Sequence, residues 1–300
     1  MKKKIPPSVV VPGHRDHVLL SDIATDLERR ATSRKRPQVP GPLVEILPPL
    51  YRVEIDGVIR TPLTGRRSYA QLEKVERTYI GMLVEMMLRA ELELPRGQKL
   101  DTRLCGHEVD IKHTMGSGWM IPGEAVGHPL ILSAADEKTS LCYLGLVVAR
   151  PEYLRGGQNQ DKKTSLRADA WENILWLYQS QPYPPNFWRG MTDAQADLIM
   201  AGKSGNERMK RLFRAVQGVP ITRATIEDVA KQKDPTRRIR ADGPNGTRNT
   251  LLREGILVLT KEFDRPLMQA LGLPVGDVVA YTPKDAAERQ TARGHGHALP

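Results

Sequence analysis

A short stretch of this chain crowds acidic side chains and one lysine at a spacing suited to phosphoryl chemistry. Residues 101–112 read DTRLCGHEVDIK. Two β-favouring runs, 102–105 and 108–113, are separated by Gly106, so the economical local structure is a tight hairpin. Side chains two apart on a strand share a face, which points Asp110 and Lys112 one way and Ile111 the other. Asp101, at the mouth of the partner strand, can come round to the same end. Two carboxylates and an ammonium at the rim of a sheet suit a hard ion such as Mg²⁺. That ion takes carboxylate oxygens, keeps several waters and completes its shell with substrate phosphate oxygens. A lysine beside it can steady an attacking hydroxide and the charge that builds at phosphorus. Taken alone, Asp-x-Lys on a strand is equally an ordinary solvated pair on a half-exposed sheet.

The neighbouring elements must position these groups. Residues 68–94 are helical in pattern, with Leu72, Val75, Tyr79, Met82, Leu83, Met86 and Ala90 forming an apolar stripe expected to face the core. Lys74, Arg77, Thr78, Gly81, Glu85 and Arg89 fall toward the other side. Glu85 therefore has two readings: a surface glutamate paired with Arg89 at i+4, or a third carboxylate facing the hairpin. After the hairpin, Gly116, Ser117, Gly118 and Trp119 form a glycine-bearing loop able to approach a DNA backbone or groove closely. Runs 129–134 and 141–149 read as central strands of the same sheet, joined by a polar turn at 136–139. Residues 165–179 read as a helix burying Trp171, Leu175 and Tyr178. Pro182, Pro184 and Pro185 then interrupt regular structure and mark a domain boundary.

At 300 residues, net charge +10 and pI near 9.6, the chain is long enough for two domains, and its charge favours a polyanion. Aromatic residues are only 5%, which argues against extensive base stacking as the binding mode. No apolar run approaches a membrane span, and Pro6 and Pro7 break the opening before a signal-like region develops, so a cytoplasmic protein is expected. Cys105 and Cys142 sit in strand-like runs and are expected to be buried free thiols. The histidines have no metal-ligand spacing. Residues 1–45 carry Lys2, Lys3, Lys4, Arg34, Lys35 and Arg36 and read as a basic extension. It would hold a short helix through Arg30 capped by Ser21 or Asp22, then a proline-rich connector at 37–49.

The second half changes character. Residues 206–216 form an amphipathic helix with Met209, Leu212 and Phe213 inward and Arg208, Lys210, Arg211 and Arg214 outward. Thr225 is expected to cap a helix at 226–232, and Asp234 with Pro235 to open another at 236–240. A glycine-rich break precedes a short helix at 250–253 and a strand at 256–260, with a further strand-like run at 275–281. Short helices followed by glycine and a strand fit a winged helix-turn-helix. Its candidate DNA contacts are Arg237, Arg238, Arg240, Arg248 and Arg253. From Lys284 onward the chain is expected to fray.

Several of these stretches together resemble the NaeI family of restriction endonucleases. They are QLEKVERTYIGMLVE ending at Glu85, then Asp101, VDIK ending at Lys112, GWMIP from Gly118, GH at Gly127 and His128, LFRAVQG from Leu212 and LLREGILVL from Leu251. The resemblance spans roughly residues 65–281; the segment before Gly65 has no convincing match. It implies an α/β catalytic core of the restriction-endonuclease fold at 46–182, similar to the mismatch-repair nickase MutH. It further implies a winged-helix domain at 186–283 that binds a second DNA copy and stimulates cleavage by the first. The family's acidic and lysine positions fall on Glu85, Asp101, Asp110 and Lys112, with Mg²⁺ held by Glu85, Asp101, Asp110 and the Ile111 carbonyl. The implied partners are palindromic double-stranded DNA, a second copy of the chain in a homodimer, and a cognate DNA methyltransferase in the host. A single-strand nickase and a non-catalytic winged-helix regulator are the competing readings; the intact acidic set opposes the regulator and the large second domain opposes the nickase.

Overall fold

The computed structural model describes residues 5–35, 40–157, 162–231 and 246–300. The chain divides into two compact units, Met1–Ile59 with Ser68–Asn186, and Arg60–Arg67 with Phe187–Pro300. Among the described residues no helix is long and apolar enough to cross a membrane.

The first unit opens with α1 (His17–Thr32), α2 (Leu43–Ile46) and α3 (Pro48–Ile59); α4 (Thr61–Thr64) belongs to the second unit, and α5 (Lys74–Glu91) returns to the first. These lead into a five-stranded mixed sheet ordered β1-β2-β4-β5-β7. Its strands are β1 (Thr102–Leu104), β2 (His107–Thr114), β4 (Pro129–Asp136), β5 (Leu141–Val148) and β7 (Leu175–Pro182). β2 and β4 run parallel and the other neighbours antiparallel. A separate two-stranded pair joins β3 (Met120–Ile121) to β6 (Thr164–Ser165).

Period-two alternation sends the strands' side chains to two cores. Ile131, Leu144 and Leu146 enter one core with Leu20, Leu27, Tyr51, Ile80 and Val84 of the helices. Leu130, Leu132, Tyr143 and Val147 enter another, built round Trp119, Trp171 and Ile174. The β1–β2 hairpin closes through Cys105 and Gly106, both at positive φ (48° and 83°), the pairing a two-residue type I′ turn requires. Cys105 is exposed at that tip, correcting its expected burial, whereas Cys142 is buried.

Three further expectations are corrected in this unit. On α5 the buried residues are Ile80, Val84, Met87 and Leu88, while Val75, Tyr79, Met82 and Met86 are exposed. The helix carries two apolar stripes, and periodicity alone does not say which meets the sheet. Residues 165–179 do not form one helix: a single 3-10 turn, Asp169–Asn173, gives way to Ile174, Leu175, Trp176, Leu177 and Tyr178, which have the branched and aromatic character of a strand, and Leu175–Pro182 pairs with β5. The 4-then-3 spacing of Trp171, Leu175 and Tyr178 imitates a helix only by coincidence. Residues 1–45 are no mere extension. Leu20, Ile23, Leu27 and Ala31 of α1 are fully buried in the main core, and Asp16, 2% exposed, accepts both Nε and Nη2 of Arg150. The proline-rich stretch starts helices, because proline is tolerated in a first turn.

The second unit packs α6 (Asp193–Met200), α7 (Gly205–Ala215), α8 (Arg223–Ala230) and α9 (Thr247–Arg253) against an antiparallel pair, β8 (Leu257–Thr260) and β9 (Val278–Tyr281). Ile221 adds an isolated bridge to Val278. Between the strands lies α10 (Arg265–Ala270). Met209, Leu212 and Phe213 are buried, but Arg208 turns inward and donates to the carbonyls of Val229, Ala230 and Gly202, satisfying a helix end. The cap of α8 is Thr222 rather than Thr225. Past Lys284, α11 (Ala286–Gly294) forms instead of a frayed tail. Asp285 accepts the Glu288 N–H at 2.8 Å, and Ala292 and Leu299 are buried with Leu257 and Leu267. The expected helix at 236–240 lies outside the described residues.

Because α1 is part of the core, Leu27→Ala is expected to destabilise the first unit by about 2–5 kcal/mol in urea unfolding. Val18→Ala, on the exposed face of the same helix, is expected to stay within about 0.5 kcal/mol.

Candidate active site

Asp110, Ile111 and Lys112 lie where β2 pairs in parallel with β4. Val109 and Ile111 are buried in the core that α5 also enters, so pleating turns Asp110 and Lys112 to the opposite face. Lys112 Nζ stands 2.8 Å from both Asp110 oxygens, 2.9 Å from the Ile111 carbonyl oxygen and 3.6 Å from Asp101 Oδ2. Asp101 Oδ2 also accepts the Ile111 N–H at 2.7 Å, tying the start of β1 to the middle of β2. Glu85 reaches the same place from α5, within hydrogen-bonding range of Asp101. The structure thus joins all four candidate residues and favours the inward reading of Glu85.

Three carboxyl groups at one point cannot all be anionic cheaply. Burial first, then the charge of Asp101 and a shared hydrogen bond with it, push Glu85 up to about 7. Burial and a hydrogen bond shared with Asp101 push Asp110 up to about 7 as well, against the pull of Lys112. Asp101 moves the other way: burial raises it, but hydrogen bonds from Asp110 and the Ile111 N–H, the Lys112 charge and Glu85 together outweigh that and lower it. His113 takes no part. Its Nδ1 lies 2.9 Å from Ser133 Oγ, which donates to Tyr51, and burial pushes its pKa down to about 3.

Among the described residues no three His, Cys, Asp or Glu side chains form a ready-made metal cage. The donor set nevertheless fits a divalent ion. Mg²⁺ needs only one or two carboxylates when substrate supplies further oxygens. Here an ammonium already sits among Asp110, Asp101 and the Ile111 carbonyl. Asp110 Oδ2, although close to that ammonium, accepts no well-directed hydrogen bond and is buried, leaving an acceptor oriented for a cation.

One contributor escapes the sequence reading. Glu108 shares the Asp110 and Lys112 face of β2, and its carboxylate accepts the N–H groups of Gln98, Lys99 and Leu100 at 2.9–3.1 Å. Those bonds draw its pKa down to about 2 and hold the loop that delivers Asp101. A Cβ on Gly97 would come within 2.3 Å of the Leu100 carbonyl oxygen and 2.7 Å of Glu108, so the loop closes this tightly only with glycine there. The recoverable signal is the alternation Glu108, Asp110, Lys112 along one strand.

The candidate DNA contacts fare unevenly. Trp119 is fully buried, packs at a tilt against Trp171 and Trp176 and donates Nε1 to the Ser133 carbonyl at 2.7 Å, which removes it from any DNA-facing role. Gly118 remains in the loop with open space about it. Arg248 turns toward buried Asp264, 3.7 Å away, and its Nε is buried, so it serves the fold of the second unit. Arg253 is exposed in the last turn of α9. Arg237, Arg238 and Arg240 lie outside the described residues.

A family model described as restriction endonuclease NaeI matches residues 42–292. The type II restriction enzyme NaeI of Lentzea aerocolonigenes is 34% identical over 275 residues, covering 82% of this chain and 86% of that enzyme.

Two outcomes are expected from the site's geometry. Glu108→Ala should raise the divalent-ion concentration needed for half-maximal cleavage roughly 10–100-fold by freeing the Asp101 loop, with Glu108→Gln intermediate, read from activity against metal concentration. The second concerns pH. Glu85 and Asp110 keep protons in the folded chain that the unfolded chain releases near pH 4, so their contribution is complete below that value and is lost as pH rises through about 7. Metal-free protein should therefore lose melting temperature between pH 5 and 8 more steeply than Asp110→Asn.

Proposed function

The chain belongs to the NaeI family of restriction endonucleases, and we propose that it cuts both strands of a palindromic duplex site in a Mg²⁺-dependent reaction. The observation that carries this reading is the placement of Lys112 Nζ on the oxygens of Asp110 and Ile111, beside Asp101 and Glu85. That is a cation position built from the donors a hard metal prefers. Asp110, Asp101 and the Ile111 carbonyl would hold the ion. When bound it supplies positive charge next to the phosphoryl oxygens and makes water easier to deprotonate.

The chain's own groups do the rest. Lys112, whose Nζ stands at the mouth of this carboxylate group, would orient the attacking water toward phosphorus and offset the extra negative charge of the transition state. Glu85, already inclined to carry a proton, orients that water by hydrogen bond. Asp101 stays anionic through its Ile111 N–H contact and keeps the donor set charged. No histidine is needed as base, in keeping with the enclosure of His113.

The second unit is proposed to be a winged-helix domain that binds a further DNA copy and stimulates cleavage. Support comes from α7, α8 and α9 packed on the β8–β9 pair, with Ile221 bridging to Val278 as a third short strand would. Arg253, Arg237, Arg238 and Arg240 are its proposed phosphate and base contacts, and Gly118 is proposed to approach DNA from the first unit. A homodimer in the cytoplasm, and a cognate methyltransferase protecting host sites, complete the proposal.

Plasmid cleavage tests it. Linear product is expected only with Mg²⁺, and Lys112→Ala and Asp110→Ala are each expected to lower the rate by at least about 10²–10³ while DNA binding persists. Nicked circles as the final product would favour the nickase reading, and undiminished cleavage by Asp110→Ala would overturn the site assignment.

A further inference from the structure

Helix α5 is apolar on two opposite faces. Ile80, Val84, Met87 and Leu88 are buried against the sheet, while Val75, Tyr79, Met82 and Met86 remain 78%, 48%, 55% and 58% exposed. A helix apolar on both sides is ordinarily covered on both. The four exposed side chains present on the order of 400 Å² of mostly apolar surface, at the size where such patches mark interaction sites. It is a large fraction of the roughly 800 Å² that each partner buries in a standard interface.

The spacing says what covers it. The steps from Val75 to Tyr79, Met82 and Met86 are four, three and four residues, the a/d repeat of a helix–helix seam, so the expected occupant is another helix. The same steps read identically in reverse. Laid antiparallel on itself about a two-fold axis, the stripe places Val75 over the partner's Met86 and Tyr79 over the partner's Met82, an aromatic–thioether contact. Self-complementarity of this kind is what an isologous dimer contact requires. Tyrosine and methionine are also the residue types enriched in interface cores.

We propose that the exposed stripe of α5 is the seam through which a second copy of this chain docks, antiparallel about a two-fold axis. The inference rests on the homodimer reading above and adds its location. Glu85 lies on the flank of the stripe, between Met82 and Met86, so the seam ties each active site to its symmetry mate. Two sites related by one two-fold match the symmetry of a palindromic duplex.

Sedimentation velocity on the full chain and on Met82→Arg is the first test. The natural chain is expected to be a dimer, and the substitution to weaken dimerisation at least about a hundredfold by setting like charges at the centre of the seam, with circular dichroism unchanged. Independently, Met82→Cys in a Cys105→Ser background, treated with a short bis-maleimide, is expected to give covalent dimers, Cys142 being buried. If the natural chain is monomeric at all concentrations, the homodimer reading fails and the seam with it. If it is dimeric but Met82→Arg dimerises as tightly and Met82→Cys forms no cross-link, the face is wrong and the dimer stands. Should Met82→Arg not fold, the cross-link decides. An introduced thiol that reacts poorly even with a monofunctional maleimide in monomeric protein would show cover by the chain's own residues and overturn the proposal.

Discussion

The ammonium of Lys112 holds together a group of carboxylates that would otherwise push apart. Two unit charges 4 Å apart repel by roughly 4 kcal/mol at the effective dielectric of a partly buried site, and Glu85, Asp101 and Asp110 crowd one another. The chain relieves this in two ways. Lys112 contributes one positive charge from within hydrogen-bonding distance, and protons stay on Glu85 and Asp110 to unusually high pH. A site so arranged would gain on receiving a further cation, because the ion would supply the neutralisation that protons and the lysine provide. The same feature that destabilises the bare site would therefore favour a cation there.

Everything around the site serves to keep like charges from separating. Strand β2 is fixed by Val109 and Ile111 in the core on one side and by parallel pairing with β4 along its length. The Asp101 loop is clamped twice, by its own bond to the Ile111 N–H and by three backbone N–H groups converging on Glu108. Behind Lys112 a chain of hydrogen bonds links His113, Ser133, Tyr51 and Tyr178, so buried polar atoms there are satisfied rather than drawn toward the active site. Trp119 plays a comparable part on the other face by anchoring the glycine loop to Ser133.

The site is more legible in the sequence than the fold. Alternation along β2 assigns the faces of Asp110 and Lys112, and Gly106 marks the hairpin, because these are local consequences of pleat and turn. Glu85 keeps two readings until the fold is known, since helical spacing places a residue on a face without saying what that face meets. For the same reason periodicity assigns the wrong stripe of α5 to the core. Residues 174–178 mislead because a 4-then-3 spacing occurs by chance in a strand whose neighbours on both faces are apolar. In the N-terminal residues the lysines and arginines dominate the composition and hide the quieter pattern of Leu20, Ile23, Leu27 and Ala31. Asp16 is also invisible, because its partner Arg150 lies 134 residues away.

The two stripes of α5 bear on catalysis as well as assembly. Glu85 is delivered by a helix held on one side only by Ile80, Val84, Met87 and Leu88. Side chains stand about 5–6 Å from a helix axis, so a rotation of about 20° shifts the Glu85 carboxylate by roughly 2 Å. Displacement of a positioning group by even about 1 Å can cost on the order of 10²-fold in rate. Packing on one face resists such a rotation less than packing on two opposite faces does. A second copy seated on the opposite stripe would oppose rotation from the other side. On that account a dimer formed through this stripe would set the geometry of each active site in addition to pairing it with its symmetry mate.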